Sequence, residues 1–390
     1  MTENTPTTVK PKQIHLPKVD FSDRTIFPGS IGNNFDKVIR GFELVQRIPA
    51  PLFLVLLFGI AYFASRFDLK WAVLLWIFFL SDWLLLLYLP ISHRTFGPVQ
   101  PPVLMLAICR SIFWLLPFPL AFTAEITGII LVVYGFWFEP VHLTTTRLTY
   151  HLCGFSPERP LRVMHISDLH VERFSLREKR VLDSIKREKP DLILITGDIL
   201  NLSYLEDQRA QYDARTFLQS ISAPKGVYFV TGSPAVDLPE IVPTILQGLP
   251  LRWLQDEIVT IQHENQEIDL VGLSCSHKPF IDGPRLTKIL SNQTRRPRIL
   301  LYHSPDLAPE ADEAGIDLQL SGHTHGGQVR FPFIGAIFSG SLYGRKLQTG
   351  AYQIGKMTLY ISRGLGLEGS AAPRVRFLCP PEVILWELTK

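Results

Sequence analysis

The sequence predicts an α/β protein built in two parts: N-terminal transmembrane helices, followed by a domain of two mixed β-sheets packed face to face with flanking helices. Three observations carry this. Residues 52–138 are almost entirely apolar; from about residue 144 strand-like and helix-like patterns alternate; and four short apolar runs in that second half each stop on an aspartate or a histidine. The 46% hydrophobic content of the 390 residues is thus concentrated in one region, and the length suits two or three domains.

Residues 1–50 are polar, charged and proline-containing, without an early hydrophobic core. That pattern predicts an uncleaved cytoplasmic tail rather than a secretory signal peptide. Residues 51–140 form the apolar region, which breaks into four runs, 51–67, 71–91, 103–122 and 126–138. The second has about the 20 residues a bilayer span needs, and the shorter first and last rely on flanking residues. Four neighbouring segments with so little polar surface would leave a soluble bundle no polar outer face, so the region reads as four transmembrane helices. Asp82 and Arg110 fall in the second and third runs. An unpaired charge there costs on the order of 3 kcal/mol, so the two are expected to pair between helices. Lys37, Arg40, Arg47, Arg94 and Arg147 flank one side against Arg66 and Lys70 on the other. The positive-inside bias therefore places residues 141–390 in the cytoplasm of a multi-pass cell-membrane protein.

In the second half, 161–167 reads as a strand followed by Asp168 and His170. Residues 192–196 are a second buried strand, ending in Gly197-Asp198; 298–302 are a third, ending in His303; and 316–320 lead into Gly322-His323-Thr324-His325-Gly326-Gly327-Gln328. Residues two apart on extended backbone project to the same side, so His323 and His325 can reach one point. Neutral imidazole is the commonest metal ligand, and glycines let backbone approach what the rings hold. One His-x-His proves little, but loops beyond strand carboxyl ends are where α/β sheets bind ligands, so four such endings are expected to converge. Mixed Asp and His donors suit manganese, iron or zinc better than calcium or magnesium. Helices are predicted over 176–187, 206–220 and 306–314, and strand pairs at 258–262 with 268–272 and 351–354 with 358–362.

In order and context, Asp168-x-His170, Gly197-Asp198, His303 and Gly322-His323-x-His325 resemble the signature of the calcineurin-like metallophosphoesterases, over roughly residue 144 to the C-terminus. The closing stretch Ser362-Arg363-Gly364-Leu365-Gly366, with Arg374 to Glu382, is similar to the membrane-anchored bacterial phosphodiesterase branch. The resemblance implies two divalent metal ions, one within Asp168, His170, Asp198 and His325, and a second held by His303 and His323 with Asp198 bridging. It implies a metal-dependent hydrolase in which Asp198, His303 and His323 carry catalysis, the cations activating a water for attack on phosphorus. No further cofactor-binding residue is expected.

One motif departs from the family. After the strand ending at Thr231 the family places Gly-Asn-His, where Asn ligates the second metal and His assists the leaving group; here stand Gly232-Ser233-Pro234. Serine is the poorer neutral ligand, and proline has neither a titratable group nor an N–H. Asp237 and His277 are the candidates to compensate. Occupancy of the second metal position is left open, and so is a second class of function, a catalytically weakened metal- or phosphate-binding membrane protein. Without an acid, the favoured substrates are those with an already acidic leaving group: activated phosphodiesters or pyrophosphates, on a phosphorylated small molecule or a lipid. Arg363 and Arg345 are further candidates to steady the phosphate.

The net charge of +3 is too small to argue for nucleic acid, and none is expected as a partner. Cys109, Cys153, Cys275 and Cys379 are widely separated and read as free thiols. The sequence leaves the oligomeric state open.

Overall fold

The computed structural model describes residues 6–29, 34–291 and 293–390. Its C-terminal part holds two seven-stranded sheets. The first runs, in spatial order, Thr7–Thr8, Thr144–His151, Glu382–Thr389, Leu161–Ile166, Leu192–Thr196, Val227–Val230 and Arg252–Trp253. The second runs Lys12–Gln13, Gly350–Ile354, Met357–Ile361, Leu318–Ser321, Arg298–Leu301, Gln266–Gly272 and Glu257–His263. Central strands pair in parallel, while Glu382–Thr389 runs antiparallel to Leu161–Ile166 in the first sheet and Gly350–Ile354 antiparallel to Met357–Ile361 in the second, so both sheets are mixed.

Strand alternation builds the layers. Leu192 and Leu194 face the inter-sheet core with Val163, Leu301, Leu320 and Trp386. Ile193 and Ile195, one residue out of step, face the outer helices through Val181, Ala214 and Phe217. Both faces are covered, which is why these strands read as continuous apolar runs. Burying each such side chain contributes about 1.5–3 kcal/mol. A matching outer layer covers the second sheet, where Leu300 and Leu359 meet Leu286, Leu290 and Ala311.

The apolar N-terminal region forms the helices Ala50–Ala64, Leu69–Ile91, Gln100–Leu115 and Phe118–Val141. Leu69–Ile91 and Phe118–Val141 are long and apolar enough to cross a membrane, whereas the other two are shorter. The expected boundary between the third and fourth runs is corrected: no helix crosses 116–117, and the last helix begins at Phe118 rather than at 126. Leu116 is extended because a residue before proline is pushed out of the helical region. Outward positions such as Phe63, Leu84, Leu115 and Ile130 are exposed and apolar. Inside, Arg110 Nη1 meets Asp82 Oδ2 at 2.5 Å, as expected. Glu125, unforeseen, completes the cluster: its Oε2 accepts from Arg110 Nε at 2.7 Å and its Oε1 from Trp114 Nε1 at 3.2 Å.

The expectation of a separate N-terminal tail is also corrected. Thr7–Thr8 pairs with Leu148–Thr149 at the edge of the first sheet, and Lys12–Gln13 pairs with Tyr352–Gln353 at the edge of the second. Leu16 and Phe27 are then buried against the domain. Unpaired edge backbone is a template for added strands, and here the chain's own start takes it. Residues 1–5 and 30–33 of this segment lie outside the described residues.

Candidate metal centre

All six predicted ligands come together at one end of the paired sheets. Asp168 and His170 follow the strand Leu161–Ile166, Asp198 follows Leu192–Thr196, His303 follows Arg298–Leu301, and His323 and His325 follow Leu318–Ser321. His170 Nε2 lies 3.4 Å and His303 Nε2 3.3 Å from Asp198 Oδ2, so one carboxylate oxygen stands between two rings from different sheets. His325 Nε2 is 3.2 Å from His170 Nε2 and 3.8 Å from Asp168 Oδ1. Ligand atoms of Asp168, His170 and His325 lie within 4.8 Å of one another, as do those of Asp168, Asp198 and His303. A third such group was not foreseen as a set: His277, His303 and His323.

Local backbone makes this packing possible. Gly197 has φ +82°, and a Cβ there would lie 2.2 Å from the Gly232 nitrogen, so the two strand ends pass only because both are bare. At Gly322 a Cβ would lie 2.2 Å from Asp168 Oδ2. Asp168, His170, Asp198, His277, His323 and His325 all have positive φ, uncommon for residues other than glycine and found at sites whose geometry is held by their surroundings.

Partners orient the rings. His303 Nδ1 donates to the Thr196 carbonyl at 2.7 Å, freeing Nε2 for the site, and His323 Nε2 donates to the Gly340 carbonyl at 3.1 Å, freeing Nδ1. His323 N also donates to Asp168 Oδ1 at 2.8 Å. Burial raises the carboxyl of Asp198, but the His303 and His170 rings beside it outweigh this and hold it well below the usual carboxylate range. Burial keeps His277 and His325 well below the ordinary imidazole value, and so neutral. Asp168 Oδ2, His170 Nδ1, His277 Nδ1 and His325 Nδ1 are buried with no hydrogen-bond partner. Buried polar atoms left unsatisfied are costly, and a set of carboxylate and imidazole donors converging in this way fits divalent cations.

The departing motif is placed at the same point. Ser233 N donates to Asp198 Oδ1 at 2.6 Å, and Ser233 Oγ lies 3.2 Å from both His277 Nε2 and His303 Nε2. Of the two candidates to compensate, His277 reaches the site. Asp237 does not: its carboxylate accepts the backbone N–H groups of Asp198, Ile199 and Gly232, and burial with the nearby Asp198 charge pushes it up to about 6. Arg363 turns to Glu382 and Thr144, and exposed Arg345 to the Ile334 carbonyl, so neither lines the pocket. That pocket is bounded by Asp198, Ser233, His323, His325 and Glu368, and on one side by Pro28 and Gly29 of the N-terminal segment. His165, one strand position short of the site, is buried and bonded to Thr196 Oγ1 at 2.9 Å.

Comparison with known proteins gives the family. The family model for calcineurin-like phosphoesterase matches residues 161–327. The chain is 30% identical over 266 residues to the uncharacterized metallophosphoesterase YkuE of Bacillus subtilis, covering 65% of this chain and 88% of that protein. It is 27% identical over 259 residues to phosphodiesterase YaeI of Escherichia coli, covering 65% and 88%. To UDP-2,3-diacylglucosamine pyrophosphatase LpxG of Chlamydia trachomatis it is 26% identical over 328 residues, covering 67% and 96%. With the family model matched over residues 161–327 and relatives covered over 88–96% of their length, this chain belongs to the calcineurin-like metallophosphoesterases, as a metal-dependent hydrolase of their bacterial branch.

Proposed function

We propose that this protein is a membrane-embedded phosphodiesterase or pyrophosphatase that uses two divalent cations and acts on a lipid-linked pyrophosphate. The observation that carries the reading is the convergence of six buried or half-buried Asp and His side chains from both sheets, with Asp198 between His170 and His303. Asp168, His170, Asp198 and His325 would hold one cation, and Asp198, His303 and His323 the other. When bound, such a pair supplies Lewis acidity toward phosphoryl oxygens and acidifies water. The chain's own residues do the positioning. Asp198 is fixed through Oδ1 by the Ser233 N–H, which aims Oδ2 between His170 and His303. The Thr196 and Gly340 carbonyls set which nitrogens of His303 and His323 face the site.

Two features support a membrane and a lipid. The apolar helices carry an apolar exterior, and the N-terminal segment pairs with the catalytic sheets, so an even number of crossings would keep both on one side, read as cytoplasmic from the flanking basic residues. Beside the pocket, Arg330–Phe331 and Gly335–Ala336 form a hairpin whose Phe331, Phe333 and Ile334 are exposed, followed by exposed Ile337 and Phe338. Arg330, Arg345 and Lys346 border it. Val329 bridges to Phe377, whose ring packs on Tyr134 at the end of the last apolar helix. An apolar tip with a basic border, continuous with the helices, is suited to a headgroup interface. The relative named as a UDP-2,3-diacylglucosamine pyrophosphatase supports the same substrate class.

The test is hydrolysis by the full chain in mixed micelles, comparing a nucleotide-diphosphate lipid, a water-soluble nucleotide-diphosphate sugar and a bis-aryl phosphodiester, with and without chelator. The lipid-linked pyrophosphate should give the highest kcat/KM, chelation should abolish turnover, and Phe333→Asp should lower kcat/KM for the lipid substrate alone. Metal-loaded protein that hydrolyses none of the three would establish the second reading, a metal- or phosphate-binding membrane protein, which the Gly232-Ser233-Pro234 departure favours.

A further inference from the structure

We propose that His277 is a ligand of the second cation position, replacing the carboxamide lost at Ser233, and that the resulting three-imidazole set makes that position selective for a borderline-soft cation such as zinc. This rests on the two-cation reading above. The family draws its second-position amide from the loop now occupied by Gly232-Ser233-Pro234, whereas His277 arrives from the opposite sheet, on the loop after the strand Gln266–Gly272.

Four observations bring it there. The His277 ring is buried, with its centroid 4.3 Å from that of His323 and 5.9 Å from that of His303. Its ligand atom lies within 4.8 Å of theirs. Nε2 faces Ser233 Oγ at 3.2 Å, the side chain that stands where the family places its amide. The residue holds φ +60°, the left-handed conformation it shares with five of the six predicted ligands.

The loop is also braced as ligand loops are. Asp282 accepts from Ser276 N at 2.9 Å and Ser276 Oγ at 2.8 Å, while Ser276 Oγ accepts from Lys278 N at 3.2 Å, so both neighbours of His277 are tied down. Asp282 is itself held by Tyr302 Oη at 2.5 Å and Arg285 Nη1 at 2.8 Å. From above, Gly29 closes over the ring; a Cβ there would lie 2.4 Å from His277 Nε2, so only glycine fits.

The chemical consequence is a difference between the two positions. Asp168, His170, Asp198 and His325 offer two oxygens and two nitrogens. Asp198, His303, His323 and His277 offer one oxygen and three nitrogens, with the Ser233 hydroxyl adjacent. Imidazole-rich sets suit zinc, whereas carboxylate-rich sets accept manganese more readily.

The experiment measures metal content, not turnover. Full-length protein in detergent is stripped with chelator, titrated with zinc, and dialysed against equimolar zinc and manganese; His277→Ala, His277→Ala with Ser233→Asn, and His325→Ala are carried in parallel. Wild type should retain two equivalents, with zinc enriched in one of them. His277→Ala should lose the second equivalent by more than the roughly 10- to 100-fold typical of losing a ligand's supporting partner. Adding Ser233→Asn should restore it, which also shows that the variant folds. His325→Ala, at the first position, should lose one equivalent whatever His277 does. Two equivalents bound with unchanged affinity by His277→Ala would overturn this inference while leaving the two-cation reading intact. Fewer than two in wild type would overturn both, and equal metal ratios at the two positions would overturn the selectivity.

Discussion

Asp237 holds Asp198 from behind: its carboxylate accepts the Asp198 backbone N–H at 2.8 Å and, with the same two oxygens, those of Ile199 at 2.8 Å and Gly232 at 2.6 Å. One buried side chain thus ties the turn carrying the central ligand to the turn carrying Ser233. It is a positioning residue rather than an acid, because both of its oxygens face backbone donors and it does not line the pocket. Asp237→Asn keeps the shape but turns an NH2 toward a backbone N–H. A buried donor left unsatisfied costs about 1–3 kcal/mol, so the variant is expected to melt several degrees lower and to bind cations more weakly. Thermal unfolding with and without chelator checks this, and an unchanged midpoint with full metal content would count against it.

Asp198 and His165 make a matched pair for testing the ligand set. Asp198 stands between His170 and His303, so Asp198→Ala should lose both cations and all activity. His165 is also buried, but it bonds Thr196 Oγ1 and contributes nothing to the cluster. His165→Ala should therefore retain metal and lose only stability. Elemental analysis of the two variants decides the matter, and equal metal loss in both would refute the assignment.

The ligand-bearing strand ends were legible because short apolar runs stopping on Asp or His carry their information locally. What was not legible depended on distant partners. Thr7–Thr8 and Lys12–Gln13 are polar, two-residue strands that exist only because sheet edges formed by residues 144–151 and 350–354 receive them. His277 was one of two candidates to compensate for the departing motif, with nothing local to favour it over Asp237; the packing of Gln266–Gly272 beside Arg298–Leu301 is what carries it to His303. Glu125 was hidden by a boundary error. With the third and fourth apolar runs separated near 123–125, it fell in a connecting loop, whereas the break at Leu116-Pro117 puts it a full two turns inside a helix.

Arg110 faces two carboxylates, and this changes the expected outcome of removing it. Deleting one partner of a buried ion pair costs roughly 3–5 kcal/mol, because the remaining charge is stranded. Arg110→Ala strands both Asp82 and Glu125 and should destabilise the protein in detergent more than Asp82→Ala. The Asp82→Ala/Arg110→Ala double variant should remain impaired, and adding Glu125→Ala should recover stability. Additive losses across the series would show that the three groups are not coupled.

The missing acid sets the last prediction. An alkoxide leaving from phosphorus needs a proton or a cation, and Pro234 occupies the position from which the family supplies the proton. Loss of general-acid help typically costs on the order of a hundredfold or more for poor leaving groups and much less for good ones. Asp237 is engaged by three backbone N–H groups and does not substitute. Phosphodiesters with leaving groups of graded pKa should therefore show a steep dependence of kcat/KM on leaving-group pKa with wild-type protein. Ser233→Asn/Pro234→His should flatten that dependence, raising rates most for the poorest leaving groups. A shallow wild-type slope would instead identify another proton donor, with Glu368, which lines the pocket 3.8 Å from His325 Nε2, the first to replace.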